Sequence, residues 1–298
     1  MNHWANTISP YGTSGFKSNI VELIWCGKMS ERSSITMLKN LASLFVLFVL
    51  VTVFMYANVT KAELVADGLV GYWPLDKDTI DGKDVEDVWG DNEGTINGDP
   101  KEVAGKVGEA LDFGGQDSVD IPGTDSLNFA GKDELTVAAW VNAGSDDPVI
   151  GVVAGCCGTI VAQRDVNGWA LRYDGRNPLN EMEFIVCPDW QGDGGFGAPR
   201  FEVGEWHHLT GVVNVNKLLL YLDGELVNET TFAGPISSGG SETEIGWAND
   251  GGFIGLIDEV LIYERALSEE EVKQNFEAKG FAVDSYGKLA ICWGEIKK

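Results

Sequence analysis

From Leu69 onward, apolar and polar positions alternate over short runs that Gly, Asn and Asp keep interrupting. Period-two alternation sends successive side chains to opposite faces of a strand. It predicts strands at Leu69–Leu75, Ala110–Phe113, Ser118–Ile121, Glu134–Ala143, Thr159–Arg164 and Trp169–Tyr173. Further strands are expected at Glu181–Val186, Trp206–Asn214, Leu218–Leu222, Glu225–Asn228, Thr243–Trp247 and Ile254–Tyr263. Asp223-Gly224 is the strongest hairpin signal in the chain, because a two-residue turn favours residues that tolerate positive φ. The stretch Phe253–Leu267 is apolar on both faces. Alternation puts Leu256, Asp258, Val260 and Ile262 on one side, and Ile257, Glu259, Leu261 and Tyr263 on the other. Such a strand is covered on both sides, deep in a sheet. Ser268 with Glu271 three residues on predicts a capping box and a short helix. Many strands, one terminal helix and no βαβ rhythm specify an all-β sandwich.

Upstream the pattern changes. Leu41–Ala57 is an apolar run broken only by Ser43 and Thr52, with Lys39 before it and Thr60-Lys61-Ala62 after it. Residues 37–62 therefore read as a signal peptide cut after Ala62, the alternative being an uncleaved membrane anchor. Residues 1–36 read as a disordered leader or a start placed too early. Residues 63–280 form the expected domain, and 281–298 a tail. The protein is expected to be secreted or held at the cell surface or in the periplasm.

The chain carries a net charge of −25. Residues 1–62 hold five of the 21 basic and two of the 46 acidic residues, so the remainder is more acidic still. Such a surface repels nucleic acid and anionic lipid and draws cations. No nucleic-acid partner is expected, and membrane contact only through the possible anchor. Four cysteines lie outside the leader: Cys156, Cys157, Cys187 and Cys292. An even number in an exported protein favours disulfides. A bridge between the neighbours Cys156 and Cys157 is expected to be strained, so Cys187 is expected to pair with one of them, leaving Cys292 for the other.

Five segments carry a family resemblance. Gly71-Tyr-Trp-Pro-Leu-Asp76, Gly108-Glu-Ala-Leu-Asp-Phe113 and Glu205-Trp-His-His-Leu-Thr210 are similar to motifs of the LamG-like jelly-roll family, of the concanavalin A-like lectin/glucanase superfold. Leu220-Tyr-Leu-Asp-Gly224 and Gly255–Leu267 match it too, in family order. The resemblance implies a two-sheet antiparallel jelly roll with one short C-terminal helix. It also implies, for many members, a structural calcium, and an extracellular adhesion or glycan-binding role.

Three chemistries follow as expectations. Asp87-Val-Trp-Gly-Asp-Asn-Glu-Gly94 resembles the family's Asp-x-Ser-Gly-Asn-Gly loop, with Trp89 in the serine's place. Calcium takes six to eight oxygen ligands. Asp87, Gly90 and Asn92, with Asp258 from the sheet, are the expected set. The alternative is an Asx-rich loop closed by its own hydrogen bonds. For catalysis, the superfold's glucanases carry Glu-x-Asp-x-x-Glu on one strand, and Glu181-Met-Glu183 lacks the third acid. His207 and His208 point to opposite faces, and His207 shares its face with Leu209 and Val213. The domain thus reads as non-catalytic, against the alternative of a glycoside hydrolase or lyase. For binding, the loop from Cys187 to Pro199 offers Trp190 and Phe196 beside Asp189 and Asp193, an arrangement suited to a sugar's apolar face and hydroxyls. Arg172 and Glu183 line the adjacent sheet. The expected partner is a glycan or an extracellular protein, with a structural cell-surface domain as the other alternative.

Overall fold

The computed structural model describes residues 36–45, 63–145, 149–151, 156–164, 167–176, 181–237 and 242–278. The chain divides into two units, Met1–Thr60 and Lys61–Lys298. In the first, residues 36–45 form a helix with Met37, Leu38, Leu41, Leu44 and Phe45 exposed. Among the described residues no helix is long and apolar enough to cross a membrane. The rest of the expected signal segment, its cleavage site and the tail from 281 lie outside the described residues.

In the second unit the strands run β1 (Leu69–Trp73), β2 (Ile80–Asp81), β3 (Asp84–Val85), β4 (Gly94–Asn97), β5 (Lys101–Ala104), β6 (Glu109–Gly114) and β7 (Ser118–Pro122). Then come β8 (Glu134–Ala143), β9 (Val149–Gly151), β10 (Gly158–Gln163), β11 (Trp169–Asp174), β12 (Glu181–Val186), β13 (Gly197–Pro199) and β14 (Trp206–Asn214). The last are β15 (Lys217–Leu222), β16 (Glu225–Thr231), β17 (Glu242–Ile245), β18 (Trp247–Ala248) and β19 (Gly251–Tyr263), followed by the helix α1 (Glu269–Glu277). One sheet is ordered β16-β15-β14-β8-β19, with β6 and then β1 along the far side of β19 and β5 outside β6. The other is ordered β13-β12-β11-β10-β17-β7-β4-β3-β2. The first residues of β19 pair in this second sheet, beside β9 and β18, and the rest in the first. The all-β jelly roll with a short terminal helix is what the alternation and the resemblance specify.

Both sheets feed one core, in which Trp73, Phe113, Trp169, Phe184 and Phe253 are fully buried. Close contact is enforced at Gly211 of β14, where a Cβ would lie 2.3 Å from the Phe184 ring of β12. The first sheet's other face carries a second apolar layer. There Tyr72, Ala138, Val212, Leu261 and Tyr263 meet Leu64, Val65 and Val272 of α1 and its neighbours. Asn275 ties the layers, accepting from the Val65 N–H (2.9 Å) and donating to the Tyr263 hydroxyl (2.9 Å). Hence β19 is covered on both faces, as its apolar run requires.

Its alternation is not continuous, however. Register shifts between Asp258 and Leu261, and Glu259 sits at φ 53°, a left-handed conformation unusual for a side-chain-bearing residue. This bulge reverses parity, since one extra residue moves every later side chain to the opposite face. Ile257, Val260 and Ile262 all reach the central core, while Leu261 and Tyr263 face α1. Asp258 therefore does not share a face with Val260 and Ile262, correcting the simple alternation. The helix is capped as expected: Ser268 Oγ accepts from Glu271 N–H, and Ser268 N–H donates back to Glu271 at 2.8 Å. At the β15–β16 turn, Asp223 and Gly224 both adopt positive φ, 51° and 81°.

Candidate functional site

On the outer face of the second sheet, β11 and β12 bring charged residues together. On β11, Trp169, Leu171 and Tyr173 enter the core, so alternation sends Ala170, Arg172 and Asp174 to the outer face. On β12 the same rule buries Met182, Phe184 and Val186 and turns Glu181, Glu183 and Ile185 outward. Register sets Arg172 directly opposite Glu183. Arg172 donates from Nε to Glu183 Oε1 (2.7 Å), and from its terminal nitrogens to Asp250 (2.6 Å) and Asp193 (2.9 Å). Arg164 also binds Asp250, and its guanidinium stacks 3.7 Å from the Trp190 ring centroid. Arg176 grips Asp174 with Nε at 2.9 Å from each oxygen and reaches Asp193 as well.

Burial and charge compete in this network. Arg172 is 3% exposed and Glu183 0%. Desolvation of two such ions is expensive and is offset only by close geometry and further hydrogen bonds. Burial pushes the Glu183 carboxyl up to about 7, against the pull of Arg172 and the Gly194 N–H. Burial also works on Asp250, but Arg164 and Arg172 outweigh it and leave that carboxyl below its usual range. Ligand oxygens of Asp174, Glu183 and Asp193 lie within 4.8 Å of one another. The positive charge among them comes from Arg172 and Arg176.

The 187–196 loop folds over this face. Gln191 staples it, donating to Pro188 O (2.9 Å) and Ala233 O (3.1 Å) and accepting from Ala233 N–H (2.7 Å). Gly194 N–H donates to Glu183 (3.1 Å) and Gly195 N–H to Glu181 (2.6 Å). Trp190 is half-buried against Ala162, Ala170, Ile185 and Ala248. Asp189 is exposed, and Asp193 rides above the arginines. Phe196 is a correction: it is 5% exposed and belongs to the central core, so it lines no ligand surface. It lies just ahead of β13, whose pairing with β12 pulls it inward. Sequence patterning does not single out Arg164, Arg176, Asp174 or Asp250. Asp174 was findable, two positions from Arg172 on one strand, whereas Arg164 and Asp250 arrive from strand ends far apart in sequence.

The expected calcium ligands part company. Asp87 Oδ1 accepts from the N–H groups of Tyr72 (2.9 Å), Trp89 (3.1 Å) and Gly90 (3.0 Å), and Oδ2 from Asn92 N–H (3.2 Å) and Nδ2 (2.8 Å). The Asn92 side-chain oxygen accepts from Thr124 (2.6 Å) and Ser126 (2.8 Å) hydroxyls. A loop that turns N–H groups inward around a carboxylate holds an anion, whereas calcium needs inward oxygens. Asp87, Gly90 and Asn92 therefore do not fit a cation. Gly90 is needed for space, a Cβ there lying 2.6 Å from Val70 O. Trp89, in the serine's place, donates from its indole to Leu69 O (2.8 Å). Asp258 stands apart, one oxygen accepting from Lys106 N–H (2.8 Å) and Val107 N–H (3.1 Å).

The cysteines also differ from expectation. Cys156 and Cys157 are joined to each other, and Cys187 is a buried free thiol whose N–H donates to Gly168 O (2.8 Å). That places Cys187 at the end of β12, beside the β11 start, and not against the 156–157 pair. Cys292 lies outside the described residues. His208 is the buried histidine, packed between Trp140 and Phe276, and burial depresses it to about 4. His207 is half-buried, stacked on Phe201 and bonded to Asp223 (2.8 Å).

Residues 113–273 match the Laminin_G_3 family of the concanavalin A-like lectin/glucanases superfamily. The chain belongs to that family. Among solved structures it is similar to domain 4 of AbnA, a GH43 extracellular arabinanase from Geobacillus stearothermophilus, in complex with arabinotriose. That match has 24% identity and a TM-score of 0.54, over 70% of this chain and 97% of that one. The binding domain of Paraclostridial Mosquitocidal Protein 1 matches at 19% identity and TM-score 0.51, over 71% of this chain and 52% of its own. A botulinum neurotoxin serotype D ligand binding domain, in complex with N-acetylneuraminic acid, matches at 14% identity and TM-score 0.52, over 72% and 51%. This chain thus spans about half the length of the two toxin domains. At these identities the likeness concerns the fold. No curated protein matches the sequence.

Proposed function

We propose that this laminin-G-like jelly roll is an exported, non-catalytic carbohydrate-binding module. Its ligand meets the outer face of the second sheet at the rim formed by Trp190, Asp189, Asp193 and Arg176. The observation that carries this reading is the loop's attachment: an indole and a carboxylate are held in place by the Arg164–Asp250–Arg172–Glu183 network, rooted in the buried Arg172–Glu183 pair, before any ligand arrives. A sugar presents an apolar C–H face to an indole and its hydroxyls to charged groups at the ring's edge. Here Asp193 accepts and Arg176 donates side by side, both about two-fifths exposed. A surface fixed in advance loses less ordering entropy on binding.

Burial supports the non-catalytic reading. A retaining glycosidase needs two carboxyls about 5–5.5 Å apart, both reaching the bond they cleave. Of the clustered carboxylates here, Asp174 and Glu183 are fully buried and held by arginines. Export rests on the apolar run at Leu41–Ala57 and the family's extracellular habit. A glycan array that includes arabinan fragments and sialylated glycans, paired with reducing-sugar release on every hit, tests the proposal. Binding without release is expected. Release that survives purification to homogeneity would replace this reading with a hydrolase.

A further inference from the structure

A row of side chains crosses the first sheet's outer face beyond the apolar layer under α1. Register sets Trp206 of β14 opposite Asn142 of β8, Asn142 opposite Leu256 of β19, and Leu256 opposite Asp112 of β6. Leu209, Val141, Ile257 and Leu111 of the same strands enter the central core, so alternation turns these four to the outside. At roughly 4.8 Å between strands the row is about 14 Å long. Trp206 and Leu256 are partly exposed and belong neither to the central core nor to the layer under α1. Asn142 is only 8% exposed, yet among the described residues its amide makes no hydrogen bond. Unlike Asp258 Oδ1 one row away, that amide still reaches solvent. The Trp206 indole N–H and the exposed Asp112 carboxylate are likewise unbonded among the described residues. Lys101, next to Asp112 in the row, turns its ammonium to Asp99. Along one side the row is walled by His208 and Trp140, against which Phe276 and the Lys106 ammonium pack.

A carboxamide this deeply buried has lost most of its water without gaining a partner, and a bound hydroxyl would restore the bond. Apolar surface lies on both sides of it, from Trp206 and from Leu256. A sugar ring meets both conditions: C–H groups cover its faces, and its rim carries hydroxyls that donate and accept as the amide does. The main chain of β8, β19 and β6 is paired on both sides at this row, so an extended peptide finds no free strand edge to join. The row's unpaired charge, on Asp112, is negative and disfavours nucleic acid and acidic sugars.

We propose that Trp206, Asn142, Leu256 and Asp112 form a second carbohydrate-binding site, which takes an uncharged oligosaccharide laid across the strands. Trp206 and Leu256 carry the ring faces. Asn142 donates and accepts between them, and Asp112 accepts from a hydroxyl at the far end. The row is flat, so it binds more weakly than the rim on the second sheet, and independently of it. Sites on the outer faces of both sheets would let one module hold two chains of a polysaccharide.

The test reads the tryptophan indole N–H resonances of the full chain by heteronuclear NMR, with the Trp206 signal identified by its loss in Trp206→Phe. Arabinotriose, cellotriose, mannotriose and, as the acidic counterpart, trigalacturonate are each titrated to about 10 mM. The expected result is a saturable shift of the Trp206 resonance with at least one neutral trisaccharide, at an affinity at least about tenfold above that for trigalacturonate. The shift should persist in Trp190→Ala and weaken about tenfold in Asn142→Leu. Asn142→Leu keeps the volume and gives up no hydrogen bond among the described residues, so its melting temperature should stay within about 2 °C of the unaltered protein. A Trp206 resonance that none of the neutral trisaccharides moves would overturn the proposal and leave the rim reading as it stands. So would a shift that disappears in Trp190→Ala, which would trace it to the rim. A shift that Asn142→Leu leaves unchanged, or that trigalacturonate produces equally well, would overturn it too.

Discussion

Replacing Arg172 with methionine removes the guanidinium while keeping most of the stem's volume. Three carboxylates lose a partner, but unequally. Asp250 retains Arg164, and Asp193 retains Arg176. Glu183 is left with the Gly194 N–H at 3.1 Å in a fully buried position. Breaking a buried pair from one side typically costs about 3–5 kcal/mol, because the remaining charge is uncompensated. That loss should depend on pH. The Glu183 carboxyl stands near 7 in the folded protein against 4.5 when unperturbed, and losing Arg172 raises it further. A raised folded value gives stability that is complete below the unfolded value and lost as pH rises through the folded one. Arg172→Met should therefore cost little at pH 5 and the full amount at pH 8. Urea unfolding at both values measures it, and adding Glu183→Gln should recover about 2 kcal/mol through coupling of neighbours. A loss below 1 kcal/mol, equal at pH 5 and pH 8, would refute the view that this pair anchors the outer face.

Other perturbations follow from the same structure. His208 is depressed to about 4 by burial, so the unfolded chain takes up its proton first as pH falls below 6.5. Stability should drop by about 3 kcal/mol between pH 6.5 and pH 4 from this group, and His208→Leu should flatten that limb in urea titrations. Asp87→Ala should leave five N–H donations without an acceptor and lower stability by about 3 kcal/mol, with Asp87→Asn milder because its amide oxygen still accepts. Gly211→Ala should cost about 1–3 kcal/mol by pressing a methyl into the Phe184 ring. Ser268→Ala, which opens the capping box of α1, should cost about 1 kcal/mol on thermal or urea unfolding.

Strand positions were legible because strong period-two runs are fixed locally. Glu134–Ala143, Glu181–Val186 and Trp206–Asn214 form over the residues that alternation assigns. The unexpected strands, such as Asp84–Val85, Lys101–Ala104 and Gly197–Pro199, are two to four residues long. Their own sequence is too short or too polar to specify a face, and their partners impose it. The bulge at Glu259 is similar: continuous apolar character hides a parity change, and the register with β8 is what reveals it. For the site, the loop and Trp190 could be read from composition, and Arg172 from its strand. The pairing of Arg164 with Asp250, 86 positions apart, is a product of tertiary packing alone. Asp87 shows the remaining difficulty, since an acidic Gly-containing loop can present either oxygens or N–H groups inward, and backbone conformation decides which.

The most direct test of the proposed rim is glycan affinity and unfolding stability measured together on Trp190→Ala, with Trp89→Ala as control. Trp190 is half-buried with Arg164 on its ring, so its truncation should cost no more than about 2 kcal/mol. Trp89 packs on the opposite sheet's apolar layer and donates to Leu69 O. The account predicts that Trp190→Ala stays folded and loses at least tenfold in affinity by calorimetry, while Trp89→Ala binds as the unaltered protein does. A Trp190→Ala protein whose folded fraction binds its glycan at full affinity would contradict it.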